Sequence, residues 1–334
     1  MTSQNRTPIT RMGLQIPLFT YPGVGSDTMF ETVAGIAKAG EAAGFDSLWV
    51  MDHFYQLPGL GQPEEPMFEA YSLLTALAAV TERVKLGAMV GGVTYRNPAF
   101  LAKTVTGLDV ISKGRAIWGI GAGWFELEHD AYGYEFGTFT DRFEKLEEAL
   151  QIVKSMFVND TTTFEGKWFR VKDAYNVPRP VQAGGPPVLI GGSGEKKTLR
   201  MVAQYGDACN VFGNPQQVRK LMGVLDEHCE RLGRDPREIT RTRLGTLVVG
   251  KTYEEALGRI AARYGVSSLD DLKGERMERM KAMMIIGDRD TVGEEVSNLL
   301  DAGLDGLIFN LPEAHDLETV ALAGEFLRPL LKQG

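Results

Sequence analysis

Two stretches of this chain carry residue types suited to chemistry. The first is Asp52-His53, an acid beside a histidine at the end of a short apolar run. A neutral imidazole can take or give a proton near neutral pH, so His53 is a candidate general base or acid. The other reading is a histidine held by local hydrogen bonds. The second stretch is Gly191-Gly192-Ser193-Gly194, which follows Val188, Leu189 and Ile190 and precedes Leu199, Val202 and Ala203 at helical spacing. Glycines let a backbone approach a ligand closely, and the unpaired N–H groups of a first helical turn attract an anion such as phosphate. The same residues also read as a tight strand-to-helix joint without a ligand. Spacing excludes two nucleotide motifs: a P-loop would need GK[ST] where Lys196 stands, and a dinucleotide fingerprint from Gly192 would need glycine at Lys197. Glu126, Glu128, His129 and Asp130 form a polar cluster that reads as a capped, solvated helix start. Trp124 reads as a wall for an aromatic ligand or as a plug over the core.

The elements that must position these residues alternate. Apolar β-rich runs stand at 14–19, 48–51, 84–90, 115–120, 187–191, 208–212, 241–249 and 306–310. Between them lie helical stripes such as Phe143, Leu146, Leu150, Val153 and Phe157. Asn97-Pro98 and Asn214-Pro215 suit helix starts, and Thr28/Glu31, Thr252/Glu255 and Thr291/Glu294 have capping-box spacing. Two insertions interrupt the pattern, at about 160–185 and 265–285. The first predicts a hairpin of 161–164 and 168–171 around Glu165-Gly166. Three helix-to-strand joints, AGFDSLW from Ala43, YGDA from Tyr205 and AGLDGLI from Ala302, place a glycine and an aspartate at one end of the strands. Eight strands alternating with helices predict an α/β fold, a (β/α)8 TIM barrel with insertions: one domain over 12–334 behind a flexible tail of residues 1–11. In such a barrel function gathers at the C-terminal strand ends. Those ends are Asp52-His53, Val90-Gly91-Gly92, Gly121-Ala122-Gly123-Trp124 and Gly191 to Gly194. Three of the four are glycine-rich, as a flat ligand lying across the mouth would require.

With 24% charged residues and a net charge of −8, the 334-residue chain fits a soluble enzyme and argues against nucleic-acid or acidic-membrane partners. The start, MTSQNRTPITR, lacks the apolar core of a secretion signal, and no apolar run reaches membrane-spanning length, so a cytoplasmic location is expected. Two cysteines without a CxxC pair, and four histidines without metal-type spacing, predict neither a disulfide framework nor a metal site.

The segments SLWVMDHF from Ser47, KLGAMVGGVTYRNPAFLAKTVTGLDVIS from Lys85, RAIWGIGAGW from Arg115, DRFEKLEEAL from Asp141 and PPVLIGGSGEKKTLRMVAQYGDACNV from Pro186 resemble the bacterial-luciferase-like family of flavin- and deazaflavin-dependent oxidoreductases. The resemblance implies the same barrel. It further implies that Gly192, Ser193 and Gly194 hold a cofactor phosphate, with Gly191 and Gly91 in the same cofactor-facing set. The Met89-Val90 bond, or the next one along, would be a non-proline cis peptide bulging against the cofactor's central ring. Asp52 would contact the cofactor, His53 would face the substrate, and Trp124 would line the substrate pocket. Where the family's sugar-phosphate dehydrogenases carry a carboxylate, this chain has Trp124, so that acid–base pair is incomplete. The pattern GIGAGW…E with DHF looks most like the F420-dependent branch, which implies hydride transfer between the deazaflavin C5 and a small organic substrate. The alternative in the family is an FMN-dependent monooxygenase using reduced flavin and oxygen. An F420 or flavin reductase partner and a homodimer are implied as well. Lys196, Lys197 and Arg200 would meet the cofactor's anionic tail or be plain solvated charge. Two further rivals stand: a cofactor-binding protein with little or no catalysis, since some family members have lost activity, and an unrelated sugar-phosphate barrel enzyme with GGSG gripping substrate phosphate.

Overall fold

The structure, a computed structural model, describes residues 7–266 and 283–331. Eight parallel strands form its centre: β1 (Met12–Ile16), β2 (Ser47–Val50), β3 (Lys85–Ala88), β4 (Ala116–Gly121), β5 (Val188–Gly191), β6 (Ala208–Val211), β7 (Thr240–Val249) and β8 (Gly306–Asn310). Each pairs with the next, and β8 pairs back with β1, so the sheet closes. Helices α1 (Met29–Ala43), α2 (Ala70–Val80), α3 (Pro98–Ile111), α4 (Glu126–Tyr132), α5 (Phe139–Val158), α6 (Thr198–Tyr205), α7 (Pro215–Leu232), α8 (Tyr253–Tyr264), α9 (Arg289–Leu300) and α10 (Leu317–Leu331) accompany it. The architecture is therefore the expected (β/α)8 barrel. Among the described residues, no helix is long and apolar enough to cross a membrane.

Strand alternation divides the core in two. Trp49, Ile117, Leu189, Ala208 and Ile308 pack inside the barrel, with Ile9 and Met89 in the same cluster. Leu14, Leu48, Leu86, Trp118, Ile190, Val211 and Phe309 belong to the larger cluster between barrel and helices, where the stripe from Phe143 to Phe157 on α5 is buried against them.

The three repeated joints share one hydrogen-bond device at the base of the barrel. Asp46, Asp207 and Asp305 each donate a backbone N–H to the neighbouring strand, at the carbonyls of Met12, Val188 and Arg241. Their carboxylates accept backbone N–H groups from the same strands: Arg11 to Asp46 at 2.7 Å, Val188 to Asp207 at 2.8 Å and Arg241 to Asp305 at 2.8 Å. A short acid placed one residue before a strand thus satisfies N–H groups of the adjacent strand that no further ladder would meet.

Several local expectations are corrected. The tail is anchored from Ile9 to Arg11: Ile9 is buried and donates to Thr240 Oγ1 at 2.9 Å, and Thr10 bonds Asp46 at 2.6 Å, because the open base offers apolar contacts and free acceptors. Thr28 precedes α1 without a side-chain cap bond. For α9 the N-cap is Asp288, which accepts from Thr291 N–H at 3.1 Å, so Thr291 stands inside the helix. Thr252, Asn97 and Asn214 do cap their helices as expected. The run 84–90 is broken: β3 ends at Ala88 and a two-residue strand, Gly91–Gly92, resumes the pairing with β4.

The first insertion is a hairpin, with its second strand at Arg170–Tyr175 rather than 168–171. Glu148 of α5 accepts the N–H groups of Lys167, Trp168 and Phe169 and so pulls those residues into the turn. Of the second insertion, 267–282 lies outside the described residues. At its end Met284–Gly287 is a further parallel strand, beside Thr246–Val249 of the long β7.

Candidate active site

The mouth of the barrel is shaped by one backbone irregularity. Between β3 and the Gly91–Gly92 strand the Met89–Val90 peptide is cis. The Val90 side chain leans over the neighbouring strand ends. A Cβ added at Gly121 would lie 2.9 Å from a Val90 methyl, and one at Gly191 would lie 2.8 Å from the other. Glycine at these two positions is therefore required by the bulge, which links two strand-end glycines read from the sequence to one structural cause.

Beyond Gly191 the chain turns sharply. Gly192 has φ of 128°, and its N–H bonds the carbonyl of Asn210 at 2.9 Å. Ser193 Oγ accepts from Phe212 N–H at 2.9 Å, tying this loop to the end of β6. Helix α6 starts at Thr198, and a Cβ on Gly194 would lie 2.7 Å from Thr198 Oγ1. Of the three basic residues nearby, Lys196 is exposed. Lys197 lies over the rings of Phe139 and Phe143, 5.1 and 5.4 Å from their centroids, and Arg200 pairs with Glu147 at 2.9 Å.

At the end of β2 the two candidate residues separate. Asp52 is buried at 2% exposure, and both its oxygens face protein. Arg96 bonds it bidentately, at 2.7 and 2.9 Å, and Gly92 N–H donates to it at 3.1 Å. Asp52 thus holds the bulge-bearing segment from behind. Arg96 also bonds Glu69 and lies over the Tyr71 ring at 4.8 Å. Burial works against the Arg96 charge, but the Asp52 carboxylate overrides it and strengthens the guanidinium's hold on its proton.

His53 sits at 13% side-chain exposure, with Nδ1 2.9 Å from Glu128 Oε2. Its Nε2 has no protein hydrogen-bond partner among the described residues. Trp124 and Phe125 stand edge-on to the imidazole, at centroid distances of 5.6 and 5.9 Å, and stack on each other at 5.1 Å. Trp124 is 61% exposed, so it is a rim residue beside His53 and no plug over the core.

Glu128 is where sequence reasoning failed. The polar cluster from Glu126 to Asp130 was expected to be a solvated turn, yet Glu128 and His129 are fully buried. Glu128 accepts three hydrogen bonds, from Phe54 N–H at 2.5 Å, Tyr55 N–H at 2.9 Å and Tyr95 O–H at 2.6 Å, and its Oε2 also lies against His53 Nδ1. Burial alone would raise its carboxyl, but the bonds from His53, Tyr55 and Tyr95 outweigh it and hold the group below its ordinary value. His129 lies between Thr94 Oγ1 at 2.7 Å and the Phe125 carbonyl at 2.9 Å, so it is a structural residue. A seven-residue helix is too short to show a periodic buried face, which hides Glu128 from pattern reading. Tyr95 and Arg96 are a second such case, bonded to Glu128 and Asp52 though no motif marks them. Their signal was a charged and an aromatic residue wedged between two glycines and a helix cap.

Residues 10–306 match the family model described as luciferase-like monooxygenase. The chain is 30% identical over 305 residues to an F420-dependent glucose-6-phosphate dehydrogenase of Amycolatopsis mediterranei (strain U-32), covering 84% of this chain and 88% of the relative. Among solved structures it resembles the coenzyme F420 dependent tetrahydromethanopterin reductase from Methanopyrus kandleri, with a TM-score of 0.78 at 20% identity over 97% of this chain and 99% of the other. It also resembles monooxygenase RslO1 from Streptomyces bottropensis, with a TM-score of 0.79 at 20% identity over 95% and 99% of the two chains. At such identities these two likenesses concern the fold.

Proposed function

The chain belongs to the luciferase-like monooxygenase family, and within it we propose an F420-dependent oxidoreductase that moves a hydride between the deazaflavin C5 and a small organic substrate. The observation that carries this reading is a histidine whose Nε2 has no partner among the described residues, beside a glycine-walled mouth, in a chain similar to F420-dependent glucose-6-phosphate dehydrogenases.

The mouth fits a flat tricyclic ligand. Val90 gives a convex support, while Gly91, Gly121 and Gly191 leave the backbone around it without side chains. Gly192, Ser193 and Gly194 would hold the phosphate, with the loop braced by the Ser193–Phe212 bond. Asp52 holds Gly92 and thereby the bulge on which the cofactor would rest. When bound, the deazaflavin supplies a hydride donor and acceptor that reacts poorly with oxygen. The chain's own work is proton handling and exclusion of water. His53 Nε2 exchanges the proton of the substrate oxygen, and Trp124 with Phe125 covers the imidazole edge and the substrate beside it. The incomplete acid–base pair at Trp124 sets the substrate apart from the sugar phosphate in the relatives' names.

Titration of the purified protein with F420, and separately with FMN, followed by tryptophan fluorescence, tests this reading, since Trp124 stands at the rim. Tight F420 binding with weak FMN binding is expected. Preference for FMN would move the chain to reduced-flavin monooxygenation, and binding of neither would remove the assignment.

A further inference from the structure

We infer that Glu128 is a positioning residue that fixes His53 as the tautomer protonated on Nδ1, so that Nε2 presents a lone pair and the resting site is set as a base. The inference rests on the reading of His53 as the proton-handling group and adds which proton it lacks.

The argument is one of donors and acceptors. An ionised carboxylate only accepts hydrogen bonds. Glu128 is fully buried, and its remaining contacts are all donors: two backbone N–H groups on Oε1 and the Tyr95 hydroxyl on Oε2. With its charge stabilised from three sides by these donors, it stays ionised. The atom 2.9 Å from Oε2, His53 Nδ1, must therefore carry the proton. In a neutral imidazole Nε2 is then bare.

The carrier of Glu128 is held in place independently. The neighbouring His129 meets the Phe125 carbonyl at its own helix start through Nδ1 and pairs with Thr94 Oγ1 through Nε2, which ties α4 to the turn at 94–96. Tyr95 is adjacent to Arg96, whose bidentate bond ends on Asp52, the residue before His53. One turn, 94–96, therefore grips both sides of the histidine. As a substrate O–H bond breaks, the proton goes to Nε2, the electron pair stays on oxygen, and the buried carboxylate stabilises the imidazolium that forms.

The test needs neither cofactor nor substrate. The full chain is labelled with 15N-histidine and its ring nitrogens are read by long-range 1H–15N correlation in mildly alkaline buffer. His53 is assigned among the four histidines by the signal lost in His53→Gln. Wild type is expected to show Nδ1 protonated and Nε2 bare. In Glu128→Gln the amide oxygen must serve the Phe54 and Tyr55 N–H groups. The amide NH2 then faces Nδ1, and the tautomer is expected to flip to Nε2–H. Tyr95→Phe is expected to keep the wild-type tautomer, because the carboxylate remains. A wild-type His53 protonated on Nε2, or an equal mixture, would overturn the inference, as would an unflipped tautomer in folded Glu128→Gln. Should that variant not fold, the wild-type tautomer and Glu128→Asp, expected to retain it, decide. F420 binding is measured in parallel: its loss in wild type would sink the function reading while leaving the tautomer result standing.

Discussion

The two ends of the barrel solve opposite problems with the same residue type. At the base, Asp46, Asp207 and Asp305 each spend a carboxylate on backbone N–H groups of an adjacent strand, in a local form that recurs three times. At the mouth, Asp52 and Glu128 also accept backbone N–H groups, but each binds a cation or imidazole as well: Asp52 holds Arg96, 44 residues on, and Glu128 meets His53 across 75. A carboxylate whose work is to hold strand N–H groups serves stability, since nothing about that task changes during a reaction. One shared between backbone and a titratable ring can also answer a charge that forms beside it.

The largest effect on activity comes from the mouth. His53→Ala is expected to lower turnover by about 10²–10⁴-fold, with a smaller loss of stability, about 1 kcal/mol, because buried Glu128 loses one of its partners. Activity within a factor of two of wild type would end the role given to this histidine.

The base predicts the reverse. Asp46→Ala strands the Arg11 and Met12 N–H groups. It should cost roughly 2–3 kcal/mol in urea unfolding, with F420 affinity unchanged within about twofold. An affinity loss without a stability loss would break the comparison.

Acid sharpens it further, because Glu128 and Asp305 are shifted in opposite directions. The Glu128 carboxyl is held below its ordinary 4.5, so its contribution to stability is full above that value and is lost as the pH falls through the lower folded value. Burial pushes the Asp305 carboxyl up despite the bond from Arg241 N–H, so its ionisation opposes folding as the pH rises from its ordinary 3.8 through the folded value. Urea unfolding across that acid range should show Glu128→Gln most destabilised at neutral pH and closest to wild type in acid. Asp305→Asn should gain on wild type as the pH rises. Matching slopes in the two variants would contradict these assignments.

The smallest effect is expected at the phosphate loop. Ser193→Ala removes the acceptor for Phe212 N–H and should weaken F420 binding by roughly two- to tenfold, with little change in unfolding. Unchanged affinity would remove Ser193 from the cofactor set.

Much of this molecule was legible along the chain. The barrel, the Asn97 and Asn214 caps and the three glycine–aspartate joints depend on residues within a turn or two of one another, and the cis Met89–Val90 bond stands where the family resemblance placed it. Less was legible where neighbours in sequence part company in space. Asp52 and His53 are adjacent, yet one is turned inward to Arg96 and the other toward Glu128. Thr291 had the spacing of a cap but lies inside α9, because Asp288 reaches the same N–H groups first.

The sequence by itself determined the alternation of strands and helices, because strand and helix periodicities and the N-caps are set by near neighbours. It therefore determined which residues arrive at which end of the barrel. Only the tertiary structure decided that Glu128 is an ionised, buried partner of His53 rather than a solvated turn residue. Burial and hydrogen bonding are properties of what surrounds an atom, and here the surroundings come from β2, α4 and the turn at 94–96, which meet only when the sheet closes.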